Sequence, residues 1–169
     1  MYLCNRFKSF KYPLMAVQKK INIQNKKARF EFEILDIYVA GIQLTGTEIK
    51  SIRESKARIT ESFCEFNEAG ELFIINMYIE EYAFGHHFNH NPKSERRLLL
   101  NKRELRSLKK DVEAKGNAIV PLKLFLNERG FAKLEIALAK GKKTHDKRDV
   151  IKDRDNKIDL ARIKKSFNA

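Results

Sequence analysis

The chain predicts a mainly β protein: an antiparallel barrel with short helices and a basic C-terminal tail. Three observations lead there. Apolar residues alternate with charged ones over several short windows, the period of a half-buried strand. Asn- and Gly-containing turns separate pairs of apolar arms, as hairpins require. Only two windows carry helix caps followed by apolar residues at helical spacing. At 169 residues the chain is about one domain long, and an apolar share of 43% is enough for a packed core.

Taken in order, "RFEFEILDIY" sets Phe30, Phe32 and Ile34 at alternate positions with acids between them, a strand opening at Arg29. After "AGIQL", the window "TGTEIKSIRESKA" pairs Thr45 with Glu48 in a capping box and puts Ile49 and Ile52 on one face, a short helix. "SFCEFNEAGELFIINMYI" is strand, turn and strand, with arms at 63–66 and 72–79 around the turn residues Asn67 to Gly70. "EEYAFGHHFNHNPKSERR" is a long polar loop closed by Pro92. Asn101 and Glu104 cap a second helix, lined by Leu105, Leu108 and Val112 and ended by Gly116. "AIVPLKLFLNERGFAKLEIALAK" is a hairpin turning at Asn127 to Gly130. Pro121 lacks a ladder donor, so its strand is an edge or carries a bulge there. About six strands with two helices, mostly joined by hairpins, fit an OB-like barrel over residues 25–140.

The net charge of +13 is unevenly placed: residues 1–29 carry +8, residues 30–139 carry −1 and residues 140–169 carry +6. A near-neutral body with two basic ends suits a partner that carries phosphates. Neither end has the broad apolar face of an interfacial helix, and no apolar run approaches the ~18 residues that span a bilayer. Nucleic acid is therefore expected, and no membrane. Cys4 and Cys64 lie far apart without a CxxC pair, which offers neither a disulfide framework nor a zinc set and suits a reducing cytoplasm. Residues 1–24 read as a disordered basic extension and not a secretory signal, because Arg6, Lys8 and Lys11 interrupt the apolar residues; Met15 is an alternative start. Residues 141–169 open with "GKKTHDKRD" and carry Ile151, Ile158, Leu160 and Ile163 sparsely among charges. Such a segment cannot offset its own ordering entropy and is expected to order only on a partner.

Catalysis finds little support. His86, His87 and His90 invite a metal-dependent nuclease, but Gly85, Asn89, Asn91 and Pro92 disfavour a helix there and no carboxylate follows at ligand spacing. The simpler reading is a loop whose polar groups bond locally or touch RNA. Cys64 sits in an apolar strand as a packed thiol, and capping accounts for Glu48. No metal, no cofactor and no enzyme activity are expected. The basic runs carry more. "NKKAR" holds Lys26, Lys27 and Arg29 at the mouth of the first strand. "KSERRLLLNKRELR" gathers Arg96, Arg97, Lys102, Arg103 and Arg106 at a strand-to-helix junction, and "KGKKTHDKR" leaves the last strand. Each alone is an ordinary solvated face; three on a neutral body point to RNA, with Phe and Tyr nearby as stacking surfaces. A structural ribosomal protein with basic extensions is the other non-catalytic reading.

The strings "NKKAR", "AGIQLTGTEIKSIR", "FNHNP", "RLLLNKRE", "VPLKLF" and "LAKGKKTHDKRD", in this order, resemble the SsrA-binding protein (small protein B) family from about Asn25 to the C-terminus. The resemblance implies an OB-like barrel that binds the tRNA-like domain of transfer-messenger RNA and enters ribosomes stalled without a stop codon. Protein and RNA together would imitate a tRNA, with elongation factor Tu bringing the charged RNA end and the protein acting as a monomer. It matches Asn25 and Leu99 to positions used for RNA binding and Lys140, Lys142 and Lys143 to the basic exit from the barrel; Lys26, Lys27, Arg29, Arg96, Arg97, Asn101 and Lys102, from the runs read above, complete the expected RNA-binding set. It assigns the decoding centre and downstream mRNA path to a tail that becomes helical there, through His145, Asp146, Lys147, Arg148, Lys152 and Arg154, with His145 stacking on a base. One departure stands out: the family commonly has an acid just before its AG dipeptide, and this chain has Val39.

Overall fold

The computed structural model describes residues 21–85, 88–113, 116–142 and, in the tail, 156, 159, 160 and 163. Within residues 21–142 the described residues form nine strands and three helices. In chain order they are β1 (Asn22–Gln24), α1 (Lys26–Glu31), β2 (Phe32–Ile42), α2 (Gly46–Arg53), β3 (Ala57–Arg58) and β4 (Phe63–Phe66). There follow β5 (Leu72–Ile75), β6 (Tyr78–Ile79), β7 (Arg96–Leu99), α3 (Lys102–Glu113), β8 (Asn117–Leu126) and β9 (Ala132–Gly141).

The main sheet runs β1–β8–β4–β5–β7–β2–β9, and because β8 also pairs with β9 it closes into a ring with β1 appended. Every pairing is antiparallel. This is the mainly β, OB-like barrel expected, with β3 and β6 as a separate two-stranded ribbon. Alternation fills the interior: Ala40, Ile42, Leu98, Leu124, Leu134 and Ile136 point inward and are buried. Ile52 of α2 and Leu108 of α3 join that core. Both predicted hairpins use the same turn device, a side-chain carbonyl accepting from the backbone N–H four residues on. Asn67 Oδ1 accepts from Glu71 N at 2.7 Å and Asn127 Oδ1 from Phe131 N at 2.7 Å, with Gly70 and Gly130 at positive φ. Pro121 falls where the β8–β9 register shifts, the bulge its missing donor requires.

Three expectations need correction. Phe30 is not in a strand: "KKARFE" is helix α1, and β2 opens only at Phe32. The reason is local, since Asn25 caps the segment by accepting from Ala28 N, and alternation after the cap was compatible with either structure. The barrel does not begin at residue 25, because β1 pairs with β8 from Asn22 and Ile21 is already buried. The second arm of the β4–β5 hairpin stops at Ile75, where Asn76 adopts a positive φ and turns the chain out into β6. The extension's residues 1–20 lie outside the described residues. The four described tail residues, Asn156, Asp159, Leu160 and Ile163, are helical and exposed.

Among the described residues no helix is long and apolar enough to cross a membrane. Cys64 is buried, and burial pushes its thiol well above the ordinary range, the packed thiol expected.

Candidate nucleic-acid interface

Helix α1 does not lie against the main core. It sits on the outer face of β8 and β9, where Ala28 packs with Val120, Leu122, Ala137 and Ala139 and is flanked by Phe32 and Ile34. Asn25 anchors it. Besides capping α1, its Nδ2 donates to the carbonyls of Pro121 at 3.1 Å, Ile59 at 3.3 Å and Thr60 at 3.4 Å. Its own N–H donates to Leu122 O at 2.8 Å. At 3% exposure, with both ends of its amide committed, Asn25 holds α1 in place.

What α1 presents outward is cationic: Lys26, Lys27 and Arg29 are exposed, with Lys27 only loosely paired to Glu31 at 3.8 Å. The exit of β9 comes to the same place. Phe32 pairs with Gly141 and Glu33 with Lys140. Lys142 is tied back to α1 through its N–H to Glu31 O at 3.0 Å and its Nζ to Arg29 O at 3.2 Å. "NKKAR" and the start of "KGKK", far apart in sequence, thus form one basic patch at the point where the tail leaves.

From this patch β2 carries an apolar strip along the outer face. Ile37, Val39 and Leu99 are 51%, 53% and 52% exposed. Gly41 pairs with Leu99 and brings β7 alongside; a Cβ on Gly41 would meet Leu99 Cβ at 3.4 Å. Val39 stands at the departure from the family pattern noted above, so the strip is continuous where an acid would have broken it. Beyond Leu99, Asn101 and Lys102 are exposed at the start of α3, where Glu104 accepts from Asn101 N at 3.1 Å as the cap predicted. Arg97 is exposed but pairs with Glu71 at 2.7 Å.

Arg96 belongs elsewhere. It is 3% exposed, and its Nε donates to Glu48 Oε1 at 2.7 Å. Its Nη1 donates to Met77 O at 2.8 Å and Ser94 O at 2.7 Å, and its Nη2 reaches Asn91 O and Pro92 O. A guanidinium so committed has every donor engaged within the fold; "RR" before "LLL" is one inward and one outward residue of a strand. Glu48 also closes the capping box, its Oε2 accepting from Thr45 N at 2.7 Å. Burial acts to raise the Glu48 carboxyl, but the Thr45 N–H and the Arg96 guanidinium outweigh it and hold the group below its ordinary value. A depressed carboxyl adds stability above its unfolded value, about 4.3, which is lost as pH falls through the folded value. Urea midpoints are therefore expected to drop below about pH 5 with a steeper slope in the wild type than in Glu48→Gln; equal slopes would exclude Glu48 as a source of acid sensitivity.

His90 is buried, with Nδ1 2.9 Å from Thr47 Oγ1 and Nε2 3.3 Å from Ile79 O. It is a local structural histidine; His86 and His87 lie outside the described residues. Among the described residues no group of three or more His, Cys, Asp or Glu could hold a metal ion. Lys143, His145, Asp146, Lys147, Arg148, Lys152 and Arg154 also lie outside the described residues. One residue the sequence did not single out is Lys123, which lies with Lys26 and Arg29 along a shallow groove beside α1 and stands 5.2 Å from the Phe125 ring.

A small closed β-barrel with a cationic patch leading into an apolar strip defines the class: a barrel of nucleic-acid-binding type. The chain belongs to the SmpB protein family, whose model matches residues 22–166. It is 68% identical over 149 residues to the SsrA-binding protein of Flavobacterium psychrophilum, covering 88% of this chain and 99% of that protein. It is 57% identical to the SsrA-binding protein of Christiangramia forsetii, covering 99% of each. Among solved structures, a chain described under "tmRNA-SmpB: a journey to the center of the bacterial ribosome" matches with a TM-score of 0.62 and 49% identity, over 73% of this chain and 86% of that one.

Proposed function

We infer that this protein binds the tRNA-like domain of transfer-messenger RNA and delivers it to stalled ribosomes for trans-translation, as a non-catalytic RNA-binding protein. The observation that carries the reading is the convergence of Lys26, Lys27 and Arg29 with Lys140 and Lys142 beside the apolar strip of Ile37, Val39 and Leu99. Cations neutralise phosphates, and the strip suits the sugar and base faces of a folded RNA elbow. Lys102, Asn101 and Arg97 extend the footprint. The tail begins on this patch at Lys142, so RNA held by the barrel and a tail probing the decoding centre and mRNA path through His145, Asp146, Lys147, Arg148, Lys152 and Arg154 would act from adjoining positions. The protein works as a monomer in the cytoplasm, and elongation factor Tu joins through the charged RNA.

The test is a competition assay with full-length transfer-messenger RNA against equimolar ordinary tRNA, using the intact protein and one truncated after Lys142, which keeps the whole β9 ladder. Selective binding is expected from both proteins, and rescue of stalled ribosomes from the intact one only. With about six phosphate contacts, affinity should fall roughly 10³-fold between low and moderate salt. Unselective binding that disappears with the tail would refute the barrel as the RNA site.

A further inference from the structure

One groove of the barrel contains none of the RNA-binding or tail residues assigned above. It holds about 670 Å³ beside the β3–β6 ribbon. In that ribbon Arg58 pairs directly with Tyr78, which puts both on one face, while Ala57 and Ile79 turn into the core. Tyr78 is half-buried and Arg58 exposed. The rim contains Ser55 and Asn76, the two non-glycine residues found at positive φ among the described residues. Such backbone is costly and collects where a surface is shaped for binding. Lys93 lines the groove as well, and no ion pair forms to Arg58 or Lys93 among the described residues. Lys56, by contrast, is already engaged by Glu54 at 3.0 Å and Glu80 at 3.7 Å.

We propose that this groove is a second RNA site, taking one unstacked nucleotide whose base lies on Tyr78 and whose phosphate is held by Arg58 and Lys93. The charges define the ligand class. Glu61 and Glu80 also line the groove, so with Lys56 neutralised the free cations are few, and a polyphosphate such as a nucleoside triphosphate would meet repulsion. A single phosphodiester needs only one or two cations, and the two carboxylates can accept from base amino groups. A half-buried ring beside a planar guanidinium is the arrangement on which single-stranded or looped RNA stacks. The groove's volume suits one nucleotide and not a helix. The proposal rests on the protein being an RNA-binding protein but not on which residues form the α1 face.

The experiment uses the full-length protein and two probes: a fluorescein-labelled single-stranded RNA 8-mer, and the isolated tRNA-like domain of transfer-messenger RNA. Tyr78→Leu and the double variant Arg58→Gln/Lys93→Gln are each expected to bind the 8-mer about tenfold more weakly, with affinity for the tRNA-like domain unchanged. Tyr78→Phe keeps the ring and should bind the 8-mer as the wild type does. Lys26→Gln/Lys140→Gln should show the reverse pattern, which separates failure of this site from failure of the α1 face. The proposal is overturned if the groove variants leave 8-mer affinity intact, if the α1-face variant alone abolishes binding of both probes, or if a poly-glutamate peptide displaces the 8-mer and loses its own binding in Arg58→Gln/Lys93→Gln.

Discussion

Replacing Arg96 with alanine is expected to lower folding stability by about 3–5 kcal/mol, the cost of leaving one member of a buried ion pair alone. The side chain ties four segments together. It meets Glu48 of α2 at 2.7 Å, Met77 between β5 and β6, and the loop carbonyls of Asn91, Pro92 and Ser94, while itself standing in β7. Its removal strands a carboxylate that is almost fully enclosed, together with several carbonyl oxygens, each costing about 1–3 kcal/mol when left unpaired in the interior. Lysine is a poor substitute, since an ammonium cannot reproduce the planar fork that reaches carboxylate and carbonyls at once. Arg96→Lys should recover less than half of the loss. Glu48→Gln/Arg96→Ala should be more stable than the two single effects add up to, because the stranded charge is gone. Urea unfolding of the wild type, Arg96→Ala, Arg96→Lys, Glu48→Gln and the double variant reads this directly. An Arg96→Ala variant within 1 kcal/mol of the wild type would mean that the pair contributes nothing beyond its own desolvation cost.

The inward place of Arg96 is not evident from composition. In "SERRLLL" two arginines stand together before an apolar run, and composition alone makes both cations of a binding face. Only the strand period separates them: Arg96 and Leu98 point inward, Arg97 and Leu99 outward. The barrel itself was legible because each of its long strands carries that period, and because Asn67 and Asn127 mark turns whose geometry is fixed by a single side-chain bond. The Thr45–Glu48 capping box and the Asn101–Glu104 cap were legible for the same reason, being local chemistry at fixed spacing. What could not be read was anything set by tertiary contact. Helix α1 has only six residues and little intrinsic stability; it exists because Ala28 finds a flat apolar bed on β8 and β9. The apolar strip of Ile37, Val39 and Leu99 needed the β2–β7 register, and the union of "NKKAR" with Lys140 and Lys142 needed the β2–β9 register. The groove around Tyr78 depended on a two-residue ribbon too short to leave any periodic signal.

Asn25→Asp is expected to be less stable than Asn25→Ala, although aspartate is as good a helix cap as asparagine. Loss of the cap in Asn25→Ala costs about 1 kcal/mol, and the carbonyls of Pro121, Ile59 and Thr60 lose a shared donor, so about 2–4 kcal/mol in total is reasonable for this variant. Aspartate restores the acceptor for Ala28 N but sets a carboxylate against those three carbonyl oxygens with no cation to compensate, in a site that is almost completely enclosed. If it is accommodated at all, its carboxyl must be raised and the variant should regain stability as pH falls, opposite to the Glu48 effect. The same pair of variants separates two ways in which Asn25 can serve RNA binding. Acting by positioning, it holds Lys26, Lys27 and Arg29 against the β9 exit, so RNA affinity in Asn25→Ala should fall no further than in Lys26→Gln/Lys27→Gln, and the loss should track the loss of stability. An Asn25→Ala protein as stable as the wild type yet unable to bind transfer-messenger RNA would require the amide to leave its buried site and touch the RNA itself. The four bonds that hold it, three donated by Nδ2 and one accepted by Oδ1, oppose that outcome, because every one of them would have to break for an amide to reach the surface.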